Sequence, residues 1–436
     1  MKRPVVALVG RPNVGKSTIF NKLVGKKVSI IEDTPGVTRD RIYGIVKIHD
    51  TEFHLIDTGG IEKEDDNFNS EIKIQAALAI DEADIVLFVV DGKEGITSDD
   101  FVVRDMLKKI SSRVIVVINK CDSKKIKDNE YDFYSLGFKE YIKVSGEQGD
   151  GMYELIETIT SMIPKYESEK DDSIKFSIIG RPNVGKSSLV NAILNEDRAI
   201  VSDVAGTTRD AVDTKFKYHG TLFTVIDTAG MRKKGRVYEN IEKYSFLRSM
   251  KAIDRSDVCV IVIDAVDGIV EHDKHIAGYA LNANKPVVLV VNKWDTVENK
   301  DEAMKRWKKN IEANFQFMSF SKLVFLSALT KKRVQTLMPE IITSYENARR
   351  EIKTSLLNDV IMDAYNLNLP PTYKGKRLKI YFSTQVRTAP PTFNIQVNST
   401  GLIHFSYERY LENKIREAFD FTGTPIVIQF KNKGED

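Results

Sequence analysis

The sequence predicts an α/β protein in which one domain occurs twice, followed by a smaller α+β domain. Three observations predict this fold class. The eight residues GRPNVGKS occur at Gly10–Ser17 and again at Gly180–Ser187, 170 residues later. Each copy alternates short β-rich apolar runs with helical patterns, for example DIVLFVVD in the first copy and VCVIVID in the second. The alternation stops near Glu351, where a different pattern begins. A repeat of this length indicates a duplicated domain rather than a solenoid.

The apolar runs predict the kind of sheet. Unbroken runs suit strands that are buried on both faces, and their alternation with helices implies mostly parallel sheets flanked by helices. The stretch PKYESEKDDS between the copies is polar and opens with proline, which is typical of a linker. We therefore predict a first domain at 1–163, a linker at 164–173, a second domain at 174–350 and a C-terminal domain at 351–436.

Composition limits the classes of protein that the chain can belong to. With 42% hydrophobic and 29% charged residues, the sequence is typical of a globular protein. No apolar run approaches the length of a membrane span, and the first residues do not form a signal peptide. The two cysteines, Cys121 and Cys259, predict free thiols in a reducing cytoplasm. Residues 1–163, 164–344 and 345–436 carry net charges of −5, +5 and +3, so these parts of the chain face different electrostatic partners.

The repeated octapeptide has the spacing G-x-x-x-x-G-K-S of a phosphate-binding P-loop. Its glycines allow backbone N–H groups to converge on an anion, and the helix that follows directs its positive end to the same place. Lys16 and Lys186 are predicted to bridge the β- and γ-phosphates of a nucleotide. Ser17 and Ser187 are predicted to bind Mg²⁺ through their hydroxyl groups.

Two further tetrapeptides recur in the same order in both copies. The pattern D-x-x-G begins at Asp57 and Asp227, and its aspartate is predicted to hold Mg²⁺ through water. The pattern N-K-x-D begins at Asn119 and Asn292. Its final carboxylate, Asp122 or Asp295, can accept from both N1–H and the exocyclic amino group of guanine, a donor pair that adenine lacks. These residues follow buried strands, so the sequence predicts two guanine-nucleotide sites at the carboxyl ends of the sheets.

A weaker signal, a small residue after the sixth strand, completes the predicted contacts. The first copy is predicted to bind GTP through Gly10, Arg11, Pro12, Asn13, Val14, Gly15, Lys16, Ser17, Thr18, Asp57, Thr58, Gly59, Gly60, Ile61, Asn119, Lys120, Cys121, Asp122, Ser145 and Gly146. The second is predicted to bind it through Gly180, Arg181, Pro182, Asn183, Val184, Gly185, Lys186, Ser187, Ser188, Asp227, Thr228, Ala229, Gly230, Met231, Asn292, Lys293, Trp294, Asp295, Ser327 and Ala328.

With these motifs placed, the chain resembles the EngA (Der) family of tandem GTPases. The resemblance extends to TPGVTRD and AGTTRD in the switch regions and to FSYERYLENKIREAFDFTGTPI in the tail, so it covers essentially the whole chain. It implies two P-loop G domains, a KH-like third domain and work in the assembly of the large ribosomal subunit. It also implies that Thr38 and Thr208 close on Mg²⁺ and the γ-phosphate. The implied metal ligands are Ser17, Thr38, Asp57, Ser187, Thr208 and Asp227.

The residue after D-x-x-G bears on hydrolysis. Some GTPases place a water-orienting glutamine there, but this chain has Ile61 and Met231. Asn13 and Asn183 match the P-loop asparagine that related GTPases use to hold a catalytic potassium ion, which adds K⁺ to Mg²⁺ as an expected cofactor. The alternative is that these asparagines only brace the loop. The predicted catalytic residues are Lys16, Thr38, Asn13, Lys186, Thr208 and Asn183.

The last 85 residues predict the order α-β-β-α-β, which is compatible with a KH-like domain. The G-x-x-G loop with which KH domains clamp nucleotides is not found in this tail. A basic cluster surrounds Lys376 and Arg377. Two roles stay open, namely contact with RNA and docking onto the G domains. The region 337–353 lacks glycine and predicts a helix that couples the tail to the second copy.

Three functions compete on the sequence alone. The leading one is a GTP-hydrolysing switch whose partners are GTP or GDP and the large ribosomal subunit or its precursor, with rRNA and ribosomal proteins. The second is an RNA-binding scaffold in which only one G domain turns over. The third, a membrane-remodelling GTPase, would need an apolar or amphipathic membrane segment, and none is evident. We expect a cytoplasmic monomer.

Overall fold

The structure is a computed structural model that describes residues 3–24, 43–48, 51–57, 77, 83–122, 130–163, 172–195, 199–201, 213–227, 242–373 and 376–434. The chain divides into two compact units, Met1–Lys170 and Asp171–Asp436, and each is described here by itself. None of the helices in these ranges is long and apolar enough to cross a membrane.

The first unit contains one six-stranded sheet. Its order is β2-β3-β1-β4-β5-β6, and every pairing is parallel except that of β2 with β3. The elements are β1 (Val5–Val9), α1 (Lys16–Val24), β2 (Tyr43–Ile48), β3 (Thr51–Asp57), β4 (Ile85–Asp91), α2 (Ser98–Leu107), β5 (Val114–Asn119), β6 (Glu140–Lys143) and α3 (Met152–Met162). Helix α1 buries Ile19, Phe20 and Leu23, whose spacing places them on one face against the sheet.

The second unit begins with a seven-stranded sheet of the same kind. Its order is β13-β12-β11-β7-β10-β9-β8, with antiparallel pairing confined to β8, β9 and β10. The elements are β7 (Ile174–Ile179), α4 (Lys186–Leu194), β8 (Ala199–Val201), β9 (Thr214–Tyr218), β10 (Thr221–Ile226), α5 (Glu242–Arg255), β11 (Val258–Asp264), α6 (Glu271–Asn282), β12 (Val287–Asn292), α7 (Lys300–Asn314), β13 (Lys322–Phe325) and α8 (Leu337–Ala348). The strand β8 was not predicted, because three residues are too few to show a period.

The C-terminal domain has the predicted order α-β-β-α-β, with an additional hairpin of two short strands after its first helix. A helix and a small hairpin precede a three-stranded sheet of order β16-β17-β18. The elements are α9 (Thr354–Leu367), β14 (Thr372–Tyr373), β15 (Lys376–Arg377), β16 (Ile380–Arg387), β17 (Thr392–Val397), α10 (Phe405–Ala418) and β18 (Val427–Asn432). Strand β16 begins at Ile380, and Leu378 is buried in the core ahead of it. The predicted fold class is confirmed: two mostly parallel α/β domains and a KH-like α+β domain.

A loop of the C-terminal domain joins the sheet of the second α/β domain. The Gly423 carbonyl accepts from Val287 N–H at 2.8 Å, and Gly423 N–H donates to the Phe320 carbonyl at 2.7 Å. Val287 begins β12, and Phe320 lies just before β13. The side chain of Asn347, in α8, adds a bond to the Thr422 carbonyl at 2.9 Å. The two domains of this unit are thus linked through backbone hydrogen bonds at the amino ends of two strands.

Candidate functional site

The P-loops lie at the carboxyl ends of the first strand of each α/β domain. Residues 10–15 follow β1 and lead into α1, and residues 180–185 follow β7 and lead into α4. Gly15 and Gly185 have φ of 92° and 95°, and a Cβ at either would collide with the amide nitrogen of Asn119 or Asn292. Both positions therefore require glycine, because the loop turns tightly and touches the asparagine of N-K-x-D.

The P-loop lysines occupy the centres of these loops. Lys16 Nζ donates to the carbonyls of Gly10 and Arg11 at 2.7 and 2.8 Å. Lys186 Nζ makes the same two bonds, each 2.7 Å long, to Gly180 and Arg181. Burial lowers the pKa of each ammonium group to about 8. The hydrogen bonds of both ammonium groups to the described residues go to neutral carbonyls, so each group is suited to meet an anion, which would stabilise its charged form.

The predicted magnesium ligands meet in the first domain. Ser17 Oγ donates to a carboxylate oxygen of Asp57 at 2.6 Å, although 40 residues separate them in the chain. A hydroxyl and a carboxylate converge beside the phosphate-binding loop, and oxygen ligands of this kind are what Mg²⁺ prefers. The residues present therefore fit Mg²⁺. Thr38, Thr208 and the segments Thr58–Ile61 and Thr228–Met231 lie outside the described residues.

Asn119 and Asn292 each connect the N-K-x-D loop to two other loops through side-chain hydrogen bonds. Asn119 Nδ2 donates to the Val14 carbonyl at 2.8 Å, and its Oδ1 accepts from Gly146 N–H at 2.9 Å. Asn292 makes the matching bonds to Val184 and Ala328 at 2.8 and 2.9 Å. Each asparagine thus joins its P-loop to the loop after β6 or β13. The side chain of Trp294 packs on Phe325 in the core.

The two carboxylates predicted to bind guanine, Asp122 and Asp295, have different surroundings. Lys93 Nζ lies 3.0 Å from Asp122 Oδ2, and this contact lowers the pKa of the Asp122 carboxyl. The position 173 residues after Lys93 is Val266. In the second domain Asp295 Oδ1 is buried without a hydrogen-bond partner among the described residues. A buried, unsatisfied carboxylate oxygen is costly, and a pair of donors such as the edge of guanine would satisfy it.

Sequence reasoning missed two acidic residues in each site. Asp91 pairs with Lys120 at 2.5 Å and Asp264 with Lys293 at 2.5 Å, while Lys120 also donates to the Asn13 carbonyl at 2.7 Å. Asp100 and Asp273, both fully buried, face the P-loop arginines. A signal existed, because both pairs recur at the 173-residue offset that separates the N-K-x-D motifs.

Comparison with known proteins identifies the class to which the chain belongs. Residues 5–120 and 175–293 match a family model described as "50S ribosome-binding GTPase". Residues 351–431 match the "KH-domain-like of EngA bacterial GTPase enzymes, C-terminal". The match of both α/β domains to one GTPase family agrees with their duplicated loops. The chain is a GTPase with two G domains, and it hydrolyses GTP.

Relatives identify the particular family. GTPase Der of Listeria monocytogenes is 53% identical over 436 residues, covering 99% of this chain and 100% of the relative. GTPase Der of Oceanobacillus iheyensis is 55% identical over 430 residues, covering 98% and 99%. Among solved structures, Era of Aquifex aeolicus bound to GDP·AlF4⁻ is 26% identical with a TM-score of 0.31, over 56% of this chain and 87% of that one. The chain belongs to the GTPase Der (EngA) family, and GTPases of this family generally use Mg²⁺.

Proposed function

We propose that this chain is a GTP-driven switch that acts in assembly of the large ribosomal subunit. The observation that supports it most is the match of both G domains to a family described as ribosome-binding, together with full-length similarity to GTPase Der. GTP or GDP at either site would set the conformation of the adjoining switch segments, and hydrolysis would then change the affinity for the subunit. We place the protein in the cytoplasm, as a monomer.

We propose the following roles for the site residues. Lys16 and Lys186 would leave their carbonyl partners for the β- and γ-phosphates, and Asp122 and Asp295 would accept from guanine. Ser17 with Asp57, and Ser187 with Asp227, would hold Mg²⁺, and Thr38 and Thr208 would complete the ligand set. The ion would neutralise phosphate charge during hydrolysis. Asn13 and Asn183 are exposed in left-handed backbone, at φ of 63° and 64°, and would hold K⁺ beside the phosphates.

The C-terminal domain would carry the contact with the ribosomal partner. Its exposed Lys376 and Arg377 lie on the short strand β15, where they can meet phosphate groups of RNA. Docking of G domains onto this domain is compatible with that role, since the bonds from Gly423 to Val287 and Phe320 occupy a different loop. We place the domain boundaries at 1–163, 174–350 and 351–436.

Co-sedimentation tests the proposal. The full chain should sediment with large ribosomal subunits and not with small subunits or liposomes, and the bound fraction should differ between GTP and GDP. Lys16→Ala and Lys186→Ala, tested singly, should each remove part of this nucleotide dependence because each empties one site. Binding to liposomes, or equal binding to both subunits under every nucleotide, would refute the ribosomal role and leave the GTPase assignment intact.

A further inference from the structure

A short segment connects the phosphate loop and the base loop in each G domain. We call residues 91–100 in the first domain, and 264–273 in the second, the bridging segment. At its first residue, Asp91 holds Lys120 of the N-K-x-D motif, and Lys120 in turn donates to the Asn13 carbonyl in the P-loop. The N–H of Gly92 also donates to the Asn119 carbonyl at 2.8 Å. The amino end of the segment is therefore attached to the base loop.

The other end of the segment is attached to the P-loop arginine. Arg11 Nη1 lies 2.8 Å from Glu94, and Arg11 Nε lies 3.4 Å from Asp100 Oδ2. In the second domain Arg181 lies 3.1 Å from Asp267 and 3.7 Å from Asp273. The same arrangement of one arginine and two carboxylates thus occurs twice in one molecule.

Burial of these charged groups makes an unfavourable contribution to the free energy of folding. The Asp100 and Asp273 side chains have no exposed surface, and burial raises the pKa of both carboxyl groups. Within the described ranges, Arg11 Nε and Arg181 Nε are buried without a hydrogen-bond partner, and so is one oxygen of each aspartate. A buried ion pair with unsatisfied atoms contributes little to stability, and apolar residues often serve the fold better. Its presence in both domains calls for a role other than stability.

The main chain of the same arginine touches the P-loop lysine. The Arg11 carbonyl accepts from Lys16 Nζ, and the Arg181 carbonyl accepts from Lys186 Nζ. Fixing the arginine side chain therefore fixes the peptide on which the lysine rests. We propose that Asp100 and Asp273 are positioning residues for GTP binding, acting through Arg11 and Arg181 on the P-loop. This inference rests on the proposed nucleotide sites.

The direction in which Asp100→Asn changes nucleotide affinity distinguishes a positioning role from a purely electrostatic one. Asp100→Asn keeps an oxygen that can accept from Thr97 N–H and Oγ1, the two bonds that cap α2, but removes the negative charge. If Asp100 acted only as a charge near the phosphates, its neutralisation would tighten nucleotide binding. If it positions Arg11, binding weakens, by about 10- to 100-fold as for other residues that orient a binding group. The measurement is the Kd of GDP for the full chain carrying Lys186→Ala, which leaves only the first site.

The control is Asp105→Asn, on the same helix. Asp105 is exposed and pairs with Arg104 at 2.7 Å, so its neutralisation should change the Kd less than twofold. An unchanged or lower Kd for Asp100→Asn would overturn the inference. If adding Lys16→Ala to the Lys186→Ala chain leaves GDP binding unchanged, the first nucleotide site itself is refuted, and this inference falls with it.

A double substitution distinguishes a positioning role in GDP binding from a contribution to folding stability. Arg11→Met with Asp100→Asn leaves neither charge unpaired, so its melting temperature should lie closer to that of the parent than the melting temperature of either single variant. Its GDP affinity should stay at least about tenfold weaker than that of the parent, because the P-loop has lost its anchor. Recovery of affinity together with stability would show a purely structural pair and overturn the inference. Asp273→Asn in a Lys16→Ala chain repeats the test in the second domain.

Discussion

The ammonium group of Lys93 lies 3.0 Å from the carboxylate of Asp122, the residue predicted to read guanine in the first domain. The second domain has Val266 at the matching position, and Asp295 Oδ1 is buried without a hydrogen-bond partner in the part of the chain that the structure describes. A nucleotide at the first site must therefore displace a lysine, whereas a nucleotide at the second site satisfies an unpaired carboxylate. This difference between the two sites comes from one residue, Lys93 or Val266, that belongs to none of the sequence motifs.

Exchanging these two residues should bring the affinities of the sites closer together. Lys93→Val should tighten GDP binding at the first site, and Val266→Lys should weaken it at the second, each by about two- to fivefold, as expected for an exposed ion pair. Equilibrium titration of chains that carry Lys186→Ala or Lys16→Ala measures each site alone. Weaker binding after Lys93→Val would show instead that the lysine assists the nucleotide.

Base specificity should change when the guanine readers are neutralised. Asp122→Asn or Asp295→Asn replaces an acceptor with a donor opposite guanine N1–H, and two charge-assisted hydrogen bonds are lost. The GTP affinity of that site should fall about 100-fold or more, and xanthosine triphosphate should bind in its place. Titration with both nucleotides checks this, and the unchanged site in the same chain is the control. Retained GTP affinity at the altered site would disprove the assignment.

Potassium should accelerate hydrolysis relative to sodium at equal ionic strength. A single cation beside the phosphates needs to stabilise the transition state by only ~1.4 kcal/mol to give about tenfold. Asn13→Gly is the sharpest variant, because glycine tolerates the left-handed backbone and only the side chain is lost. Single-turnover rates in the two salts should become equal at the first site. Equal rates already in the parent chain would leave Asn13 as a loop-bracing residue.

Nucleotide binding should take up protons in alkaline solution. Burial lowers the pKa of Lys16 and Lys186 to about 8 in the nucleotide-free chain, and phosphate contact raises it again. Since the bound form holds more protons, affinity should be greatest below pH 8 and should fall as the pH rises above it. At pH 9, GDP binding should take up nearly one proton per site, about nine-tenths by simple titration. Calorimetry in buffers of different ionisation enthalpy measures the uptake, and Lys186→Ala should halve the total.

The loop containing Gly423 should control how firmly the C-terminal domain is attached to the second G domain. Gly423 has a φ of +81°, and a Cβ there would press on Ser344. Gly423→Ala should therefore weaken the bond from Val287 N–H and speed exchange of that amide by about tenfold or more. Hydrogen exchange of peptides that contain Val287 is the measurement. Gly401→Ala, where a Cβ would make only an ordinary van der Waals contact with Ser399 Oγ at 3.9 Å, should leave this exchange unchanged.

The sequence alone determined the duplicated α/β fold and the location of the candidate sites. Buried parallel strands require long apolar runs, so their pattern is visible without a structure. The P-loop and the N-K-x-D motif act through short stretches of backbone and a few side chains, so Lys16 and Asp122 could be placed from spacing. The order α-β-β-α-β in the tail also followed from periodicity, although the hairpin of β14 and β15 did not, because strands of two residues are too short to show a period.

The tertiary structure alone decided which distant charges meet. Nothing local in the sequence links Arg11 to Asp100, or Lys93 to Asp122, because an ion pair depends on the distance between segments that the fold brings together. The hydrogen bond between Gly423 and Val287 likewise depends on the tertiary structure. It joins two domains through backbone groups, which carry no residue-specific signal in the sequence. Motifs identify the groups that would touch the nucleotide, whereas burial and packing determine which residues hold those groups in place.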